Sequence, residues 1–335
     1  MERENPLDFK DVYGQDFVKR AALIAAAGRH NLLMIGPPGS GKTMIAKRIP
    51  GILPEMTFEE QMEISKIYSV AGLLSKEKPY IRERPFRDPH HTTTKQALAG
   101  GGRVPKPGEI SLASGGVLFL DELAEFKRET IEVLRQPLEE GYVNIARAEG
   151  NYRYPAKCQL IAATNPCKCG FYPDRRKCVC RDWQIRSYLD RISGPMLERI
   201  DLCVEMQPLD YQDFLGTRGS RKSEKTETTA EIRKKVMQAY LVQTERYAKE
   251  SFLNNASIPS NLLERYCPLT KEAEEYISEI FASLELSARV YHKILKVART
   301  IADLSGSLQI ERPHIAEAVL YRMVDKKYWG GGIHG

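Results

Sequence analysis

An α/β fold, with a parallel sheet flanked by helices and a helical C-terminal domain, is predicted by three observations. Short apolar runs at residues 32–35 and 117–120, and a third at 159–163 that is apolar after Gln159, read as strands buried on both faces, the mark of a parallel sheet. Gly/Pro turns and stretches of helical periodicity separate them. From residue 230 onward the patterns are helical.

The 335 residues exceed the usual size of one domain and leave ample length for a core. A net charge of +6 permits a polyanionic partner without demanding one. No apolar run approaches the roughly 20 residues that span a bilayer, and the N-terminus lacks a signal segment, so the expectation is a soluble cytoplasmic protein with no membrane partner. In that setting seven cysteines point to metal binding, chemistry or plain burial rather than a disulfide framework.

The first run enters "GPPGSGKT", residues 36–43, and then a helix-compatible stretch at 42–48. Strand, turn and helix are the context a G-x-x-x-x-G-K-[ST] loop needs to hold phosphate. Backbone N–H groups of Gly36, Pro37, Pro38, Gly39, Ser40 and Gly41, the prolines excepted, would surround phosphate oxygens. Lys42 would reach the β and γ phosphates, and Thr43 would give its hydroxyl to Mg²⁺, which makes ATP and Mg²⁺ the expected cofactors.

The second run ends on Asp121, placed to hold Mg²⁺, and Glu122, placed to orient or deprotonate the attacking water. That adjacent pair favours hydrolysis over mere nucleotide sensing. The third ends on Asn165, a candidate to position the water or touch the γ phosphate, with a turn-capping asparagine as the alternative.

Directly after Asn165, "PCKCGFYPDRRKCVC" sets Cys167 with Cys169 and Cys178 with Cys180, two tight arms joined by eight residues. Four thiolates so placed suit a structural tetrahedral Zn²⁺ site, although C-x-C is less common than C-x-x-C, and disulfides or unligated thiols remain alternatives. A redox switch is disfavoured, because no C-x-x-C opens a helix. Lys168, Arg175, Arg176, Lys177 and Arg181 make this projection basic, so it is expected to contact DNA or an adjacent subunit. Cys158, Cys203 and Cys267 read as small core residues.

Two more segments are candidate nucleic-acid contacts. Residues 80–112 carry Arg82, Arg84, Arg87 and Lys95 among Pro, His and Gly, and read as ordered loop rather than packed elements. His90 and His91 would point to opposite faces of an extended chain, so they make a poor metal pair. Residues 125–140 read as helix, Gly141 stops it, and 142–155 read as a hairpin. There Arg147 and Arg153 could contact phosphates while Tyr152 and Tyr154 stack on bases; a solvated hairpin with its aromatics over the sheet is the alternative.

Together, GPPGSGKT, LFLDE, AATN and GPMLERIDL resemble an AAA+ ATPase. "RPFRDPHHT", "PGEISLASGGVLFLDE", "NPCKCG" and "LSARVYHKILKVARTIADL" resemble the magnesium-chelatase-like ComM/YifB family, over about residues 12–324. The resemblance implies an AAA+ P-loop NTPase core with a C-terminal α-helical lid domain. It further implies a homo-oligomeric, usually hexameric, ATP-driven ring on single-stranded or branched DNA, a branch-migration helicase for incoming DNA in natural transformation. Arg199 would be the arginine finger reaching a neighbouring subunit's γ phosphate, with Arg191 its rival, and Arg289 the sensor of the lid. A protein-remodelling ATPase, such as a metal-chelatase motor subunit, shares the core and is the alternative.

The implied organisation is a nucleotide-binding domain at 1–215 with an insertion (80–112) that would project into the ring's pore, a hairpin (142–155) and a cysteine knuckle (167–180). A polar linker (216–229), a lid (230–325) with helices near 230–249, 262–265, 271–281, 288–304 and 313–324, and a tail (326–335) follow. Full-length family members carry an N-terminal domain resembling the Lon protease fold; with about a dozen residues before "VYGQ", the chain reads as an AAA+ module without it.

Overall fold

The three apolar runs fold as strands of one sheet. The computed structural model of the chain describes residues 7–147, 150–208 and 227–330. Its strands are β1 (Leu32–Ile35), β2 (Phe86–Arg87), β3 (Gly100–Gly101), β4 (Lys106–Pro107), β5 (Val117–Leu120), β6 (Tyr142–Arg147), β7 (Gly150–Pro155), β8 (Gln159–Thr164) and β9 (Leu202–Glu205). The main sheet runs β2-β5-β8-β1-β9 and is flanked by helices. β2 pairs with β5 and β5 with β8 in parallel, Leu118 opposite Leu160 and Phe119 opposite Ile161. Residues of β1, β5 and β8 are buried throughout, each Leu, Ile or Phe contributing roughly 1.5–3 kcal/mol. Among the described residues no helix is long and apolar enough to cross a membrane.

The backbone gathers into two compact units, one of Met1–Leu32, Gly39–Pro54 and Ile200–Gly335, the other of Leu33–Pro38 and Glu55–Arg199. This division departs from chain order, and the helix Asp16–Gly28 shows why. Ala21 through Gly28 are all buried, so the helix is apolar on nearly every side and must be covered from several directions. The helices Thr229–Arg246 and Ala288–Ser305 supply that cover. Gln243 donates to the Ala27 carbonyl (2.9 Å), and Arg20 makes a two-pronged pair with Glu317 (2.8 and 3.0 Å).

The C-terminal helices, Thr229–Arg246, Leu263–Tyr266, Lys271–Ser283, Ala288–Ser305 and Arg312–Trp329, lie where periodicity predicts them. Thr228, Thr270 and Ser287 accept from Glu231, Ala273 and Val290 N–H, capping three of the starts. The last helix carries Pro313 in its first turn and runs to Trp329, so residues 326–329, expected as tail, are helical. The expected linker falls outside the described residues except for 227–229, as do residues 331–335.

This first unit holds a closed polar cluster. Asp303 accepts from Arg246 (2.5 and 2.9 Å), Arg299 (3.1 Å) and Asn255 (2.8 Å); Asn255 also donates to Thr300 (2.9 Å), whose hydroxyl lies 2.7 Å from His30 Nε2. Nearby in sequence to His30, the Asn31 N–H donates to Asp201 (2.9 Å), which pairs with Lys293 at 3.0 Å.

Two expectations in the second unit are corrected. The helix expected over 125–140 is broken into Arg128–Glu132 and Arg135–Glu140. Pro137 has no N–H for the Val133 carbonyl and is tolerated only in a first turn. Residues 80–112 are packed elements rather than loop: β2, a helix Lys95–Ala99, the antiparallel β3–β4 pair and a helix Glu109–Leu112. Gly100 permits that packing, since at φ +100° a Cβ would lie 2.5 Å from the Lys106 carbonyl oxygen.

Candidate functional site

From β1 the chain runs through Gly36, Pro37 and Pro38 in the second unit to Gly39, Ser40 and Gly41 in the first. Gly39 and Gly41 hold φ of +76° and +93°, left-handed values that a side chain would strain. The helix Lys42–Ile52 starts with no side-chain cap and no acid in its first turn. Its first N–H groups and dipole therefore make an end suited to an anion. Lys42 is buried, and Thr43 follows it on this helix.

In the second unit the ends of β1, β8 and β5 lie in order across the sheet. Gly36 N–H donates to the Thr164 carbonyl (3.2 Å), which sets Asn165 beside the start of the loop. Asp121 and Glu122 follow β5, one strand further on. Asp121 Oδ1 accepts the Glu122 N–H (2.9 Å), and Glu122 sits at φ +52°. For a non-glycine residue that costs on the order of 1–3 kcal/mol, the kind of strain found where function aims a side chain. Glu122 Oε2 lies 3.1 Å from His91 Nδ1.

His91 is the site neighbour that sequence reasoning missed. His90 and His91 do not diverge; their rings lie 4.1 Å apart, because the chain turns there, with Thr93 N–H donating to the His90 carbonyl (2.8 Å). The available signal was the histidine pair itself in RPFRDPHHT.

The four knuckle cysteines come together. Cys167 Sγ is 3.3 Å from Cys169 Sγ and 3.8 Å from Cys178 Sγ, Cys169 and Cys178 are 3.6 Å apart, and all four sulfurs lie within 4.8 Å of one another. None is disulfide-bonded. Tetrahedral Zn–S bonds of about 2.3 Å place sulfurs about 3.8 Å apart, so the set fits zinc. Burial raises the Cys178 thiol to about 12 and raises Cys180 as well. At Cys169 burial also acts upward, but N–H groups of Phe171 and Val179 with the Cys167 and Cys180 thiols outweigh it and bring the group down to about 6. Gly170, at φ +85°, lies so close to Pro38 that a Cβ would come within 2.5 Å of its Cδ. The knuckle thus rests on the phosphate loop's second proline. On its surface Lys168 and Lys177 are exposed, Arg175 pairs with Asp182, and Arg176 with Asp174. Of the remaining cysteines, Cys203 and Cys267 are buried as expected, and Cys158 is half-buried.

The basic residues divide sharply. Arg84, expected on DNA, is 7% exposed and donates to the Gly115 carbonyl (2.6 Å), the Glu55 carbonyl (3.2 Å) and the Glu60 carboxylate (3.2 Å). Arg87 makes a two-pronged pair with Glu109 (2.6 and 2.8 Å), which raises its pKa. Both are drawn into internal ion pairs, since a guanidinium leaves water only against carboxylate or carbonyl partners. Arg153 is exposed, its guanidinium 3.4 Å from the Tyr142 ring centroid. Tyr152 is exposed, whereas the Tyr154 hydroxyl donates to the Pro105 carbonyl (2.8 Å). Arg147 lies in β6, with its side chain outside the described residues.

Arg199 is 12% exposed, donates to the Pro195 carbonyl (2.7 Å) and pairs with Glu139. Arg191, half-exposed, pairs with Glu125 (3.1 Å) and donates to the Ala124 carbonyl (3.2 Å). Arg289 is exposed, in the first turn of its helix.

Left-handed glycines before an uncapped helix, with carboxylates and an amide closing adjacent parallel strands, define a P-loop NTPase of the AAA+ class. Family models for "Magnesium chelatase, subunit ChlI" and its C-terminal region match residues 8–214 and 226–322, and the chain belongs to that family. It is 48% identical to "Competence protein ComM" of Haemophilus influenzae, over 95% of this chain and 60% of that protein. It is 44% identical to "Uncharacterized protein YifB" of Escherichia coli, over 95% of this chain and 61% of that one. An "uncharacterized MCM-type protein" of Methanocaldococcus jannaschii is 24% identical over 95% of this chain and 42% of its own length. The chain thus spans about three-fifths of the ComM and YifB relatives.

Proposed function

We propose that this chain is the motor module of a cytoplasmic ATP-hydrolysing ring, hexameric, that acts on single-stranded or branched DNA as a branch-migration helicase during uptake of DNA in competence. The observation that carries the hydrolytic part is Glu122, held at a left-handed φ beside Asp121 at the end of β5. Support for DNA comes from the names of the relatives, competence protein and MCM-type protein.

In this reading backbone N–H groups of the loop and of the helix start at Lys42 hold the phosphates, and Lys42 reaches the β and γ groups. Thr43 and Asp121 would hold Mg²⁺, which neutralises phosphate charge when bound. Glu122 accepts the proton of the attacking water, and Asn165 orients that water. Arg199, once released from Glu139, completes the neighbouring subunit's site, with Arg191 as the rival; Arg289 reports nucleotide state to the helical region. Cys167, Cys169, Cys178 and Cys180 would hold a structural zinc. Arg153, with Arg147 and Tyr152 on the same hairpin, would meet DNA.

The internal pairing of Arg84 and Arg87 favours the second reading, a protein-remodelling ATPase, because it takes two cations away from a basic insertion. One experiment separates the two: ATPase rate alone, with single-stranded DNA and with a four-way junction, at fixed low salt. Stimulation greatest with the junction and lost in Arg199→Ala supports the DNA motor. Basal turnover indifferent to both DNAs supports remodelling. Glu122→Gln is expected to bind ATP and lose turnover by roughly a hundredfold or more.

A further inference from the structure

Two aromatic side chains stand in water on the cysteine knuckle, and nothing in the scheme above uses them. Trp183, in the first turn of the helix Asp182–Leu189, is 66% exposed, and Phe171, between the two cysteine arms, is 42% exposed. The charges around them are one-sided. Residues 168–186 carry six cations and two carboxylates. Both carboxylates are taken, Asp182 by Arg175 and Asp174 by Arg176. Lys168, Lys177, Arg181 and Arg186 are exposed and form no ion pair among the described residues.

Exposed cations alone suit any phosphate backbone, paired or unpaired. A free aromatic face adds a place for a base, and bases are open to such stacking in an unpaired strand rather than inside a duplex. The surface that offers both is held in place. Arg175 donates to the Cys180 carbonyl (3.1 Å), lies 5.0 Å from the Tyr172 ring centroid and pairs with Asp182, which ties the loop between the arms to the turn bearing Trp183. A platform already ordered loses little freedom when it binds.

We infer that the knuckle is a single-stranded DNA contact, in which Trp183 stacks on a base and Lys177 and Arg181 meet flanking phosphates. The inference rests on the DNA reading of the motor and adds a second contact to that of the 142–155 hairpin. Only Pro166 separates Asn165 from the first cysteine of the knuckle, so a strand held there is close along the chain to the residue read as meeting the γ phosphate.

The test is binding of a fluorescein-labelled oligo-dT of about 20 nucleotides to the full chain, followed by anisotropy at fixed low salt, with a duplex of equal length beside it. Trp183→Ala is expected to weaken oligo-dT binding roughly tenfold and duplex binding by less than about twofold, and Trp183→Phe to keep most of the affinity. Because Trp183 is one of two tryptophans, Trp329→Phe leaves it as the reporter, and its emission should be quenched in step with oligo-dT binding. Removing Lys177 or Arg181 should lower the slope of log affinity on log salt by about 0.7 each. Oligo-dT binding with Trp183 emission unchanged and affinity unaltered in Trp183→Ala overturns the inference and leaves the DNA reading in place. An unaltered chain that binds neither DNA overturns both, and a smaller sedimenting species for Trp183→Ala than for that chain then gives the patch to a neighbouring subunit. A loss that Trp183→Phe does not restore, with a lowered Tm or lost zinc, overturns the inference in favour of a structural role.

Discussion

The Asp303 cluster and the cysteine knuckle are both polar groupings set into a fold, and they are completed differently. Asp303, Arg246, Arg299, Asn255 and Thr300 contain donors and acceptors in opposition, and the chain satisfies them from within. The knuckle gathers four thiols of one kind, their sulfurs all within 4.8 Å of one another. A self-complementary set holds helices together. A one-sided set at metal-ligand spacing suits a metal ion supplied from outside.

The contrast is tested most strongly by Asp303→Ala, which leaves Arg246 and Arg299 without their shared carboxylate. Arg299 is 1% exposed, so a loss of about 3–5 kcal/mol is expected, read as a Tm drop of roughly 10 °C with no response to chelator. Chelation, or Cys178→Ser, is the reciprocal test. One zinc per chain, measured with a colorimetric indicator, should be lost, and tryptic cleavage at Lys168 and Lys177 should rise while the Tm falls by a few degrees, roughly 1–2 kcal/mol. Chelator-insensitive protection would place the knuckle with the self-complementary sets.

The smallest effect is at Asp201. Burial alone would raise its pKa, but the Lys293 ammonium and then His30 hold it far below the usual carboxylate range. The sign follows: its contribution is fully present above the unfolded value of about 3.9 and is lost as pH falls through the folded pKa. Asp201→Asn should flatten the acid limb of the stability curve by up to about 1.4 kcal/mol per pH unit below pH 4, measured by urea unfolding.

The parts of the molecule legible in sequence are those written locally. β1 and β5 occupy the residues their apolar runs predict, and three of the C-terminal helices start at hydroxyl caps visible as single letters. The glycine loop and the cysteine arms are likewise contiguous. What could not be read is pairing across distance. Arg84 looks like any exposed cation until Glu60 and the Gly115 carbonyl fold around it, and Glu122 meets His91 only through β2 and β5 lying side by side. The short elements of 80–112 are set by contacts rather than propensity, and Gly100 shows this, since its fit is to the Lys106 carbonyl. The break before Pro137 is local too, since proline has no N–H to continue a helix through that position.

Gly170 has a consequence for anyone altering this protein. The missing carbon there lets the metal-suited arm lie against Pro38, so the spacing between knuckle and loop is set by a single hydrogen atom where every other residue has a side chain. Position 170 is accordingly closed to substitution for two independent reasons, handedness and clearance, and a saturation library screened for nucleotide binding should return glycine alone, even among clones that retain all four cysteines.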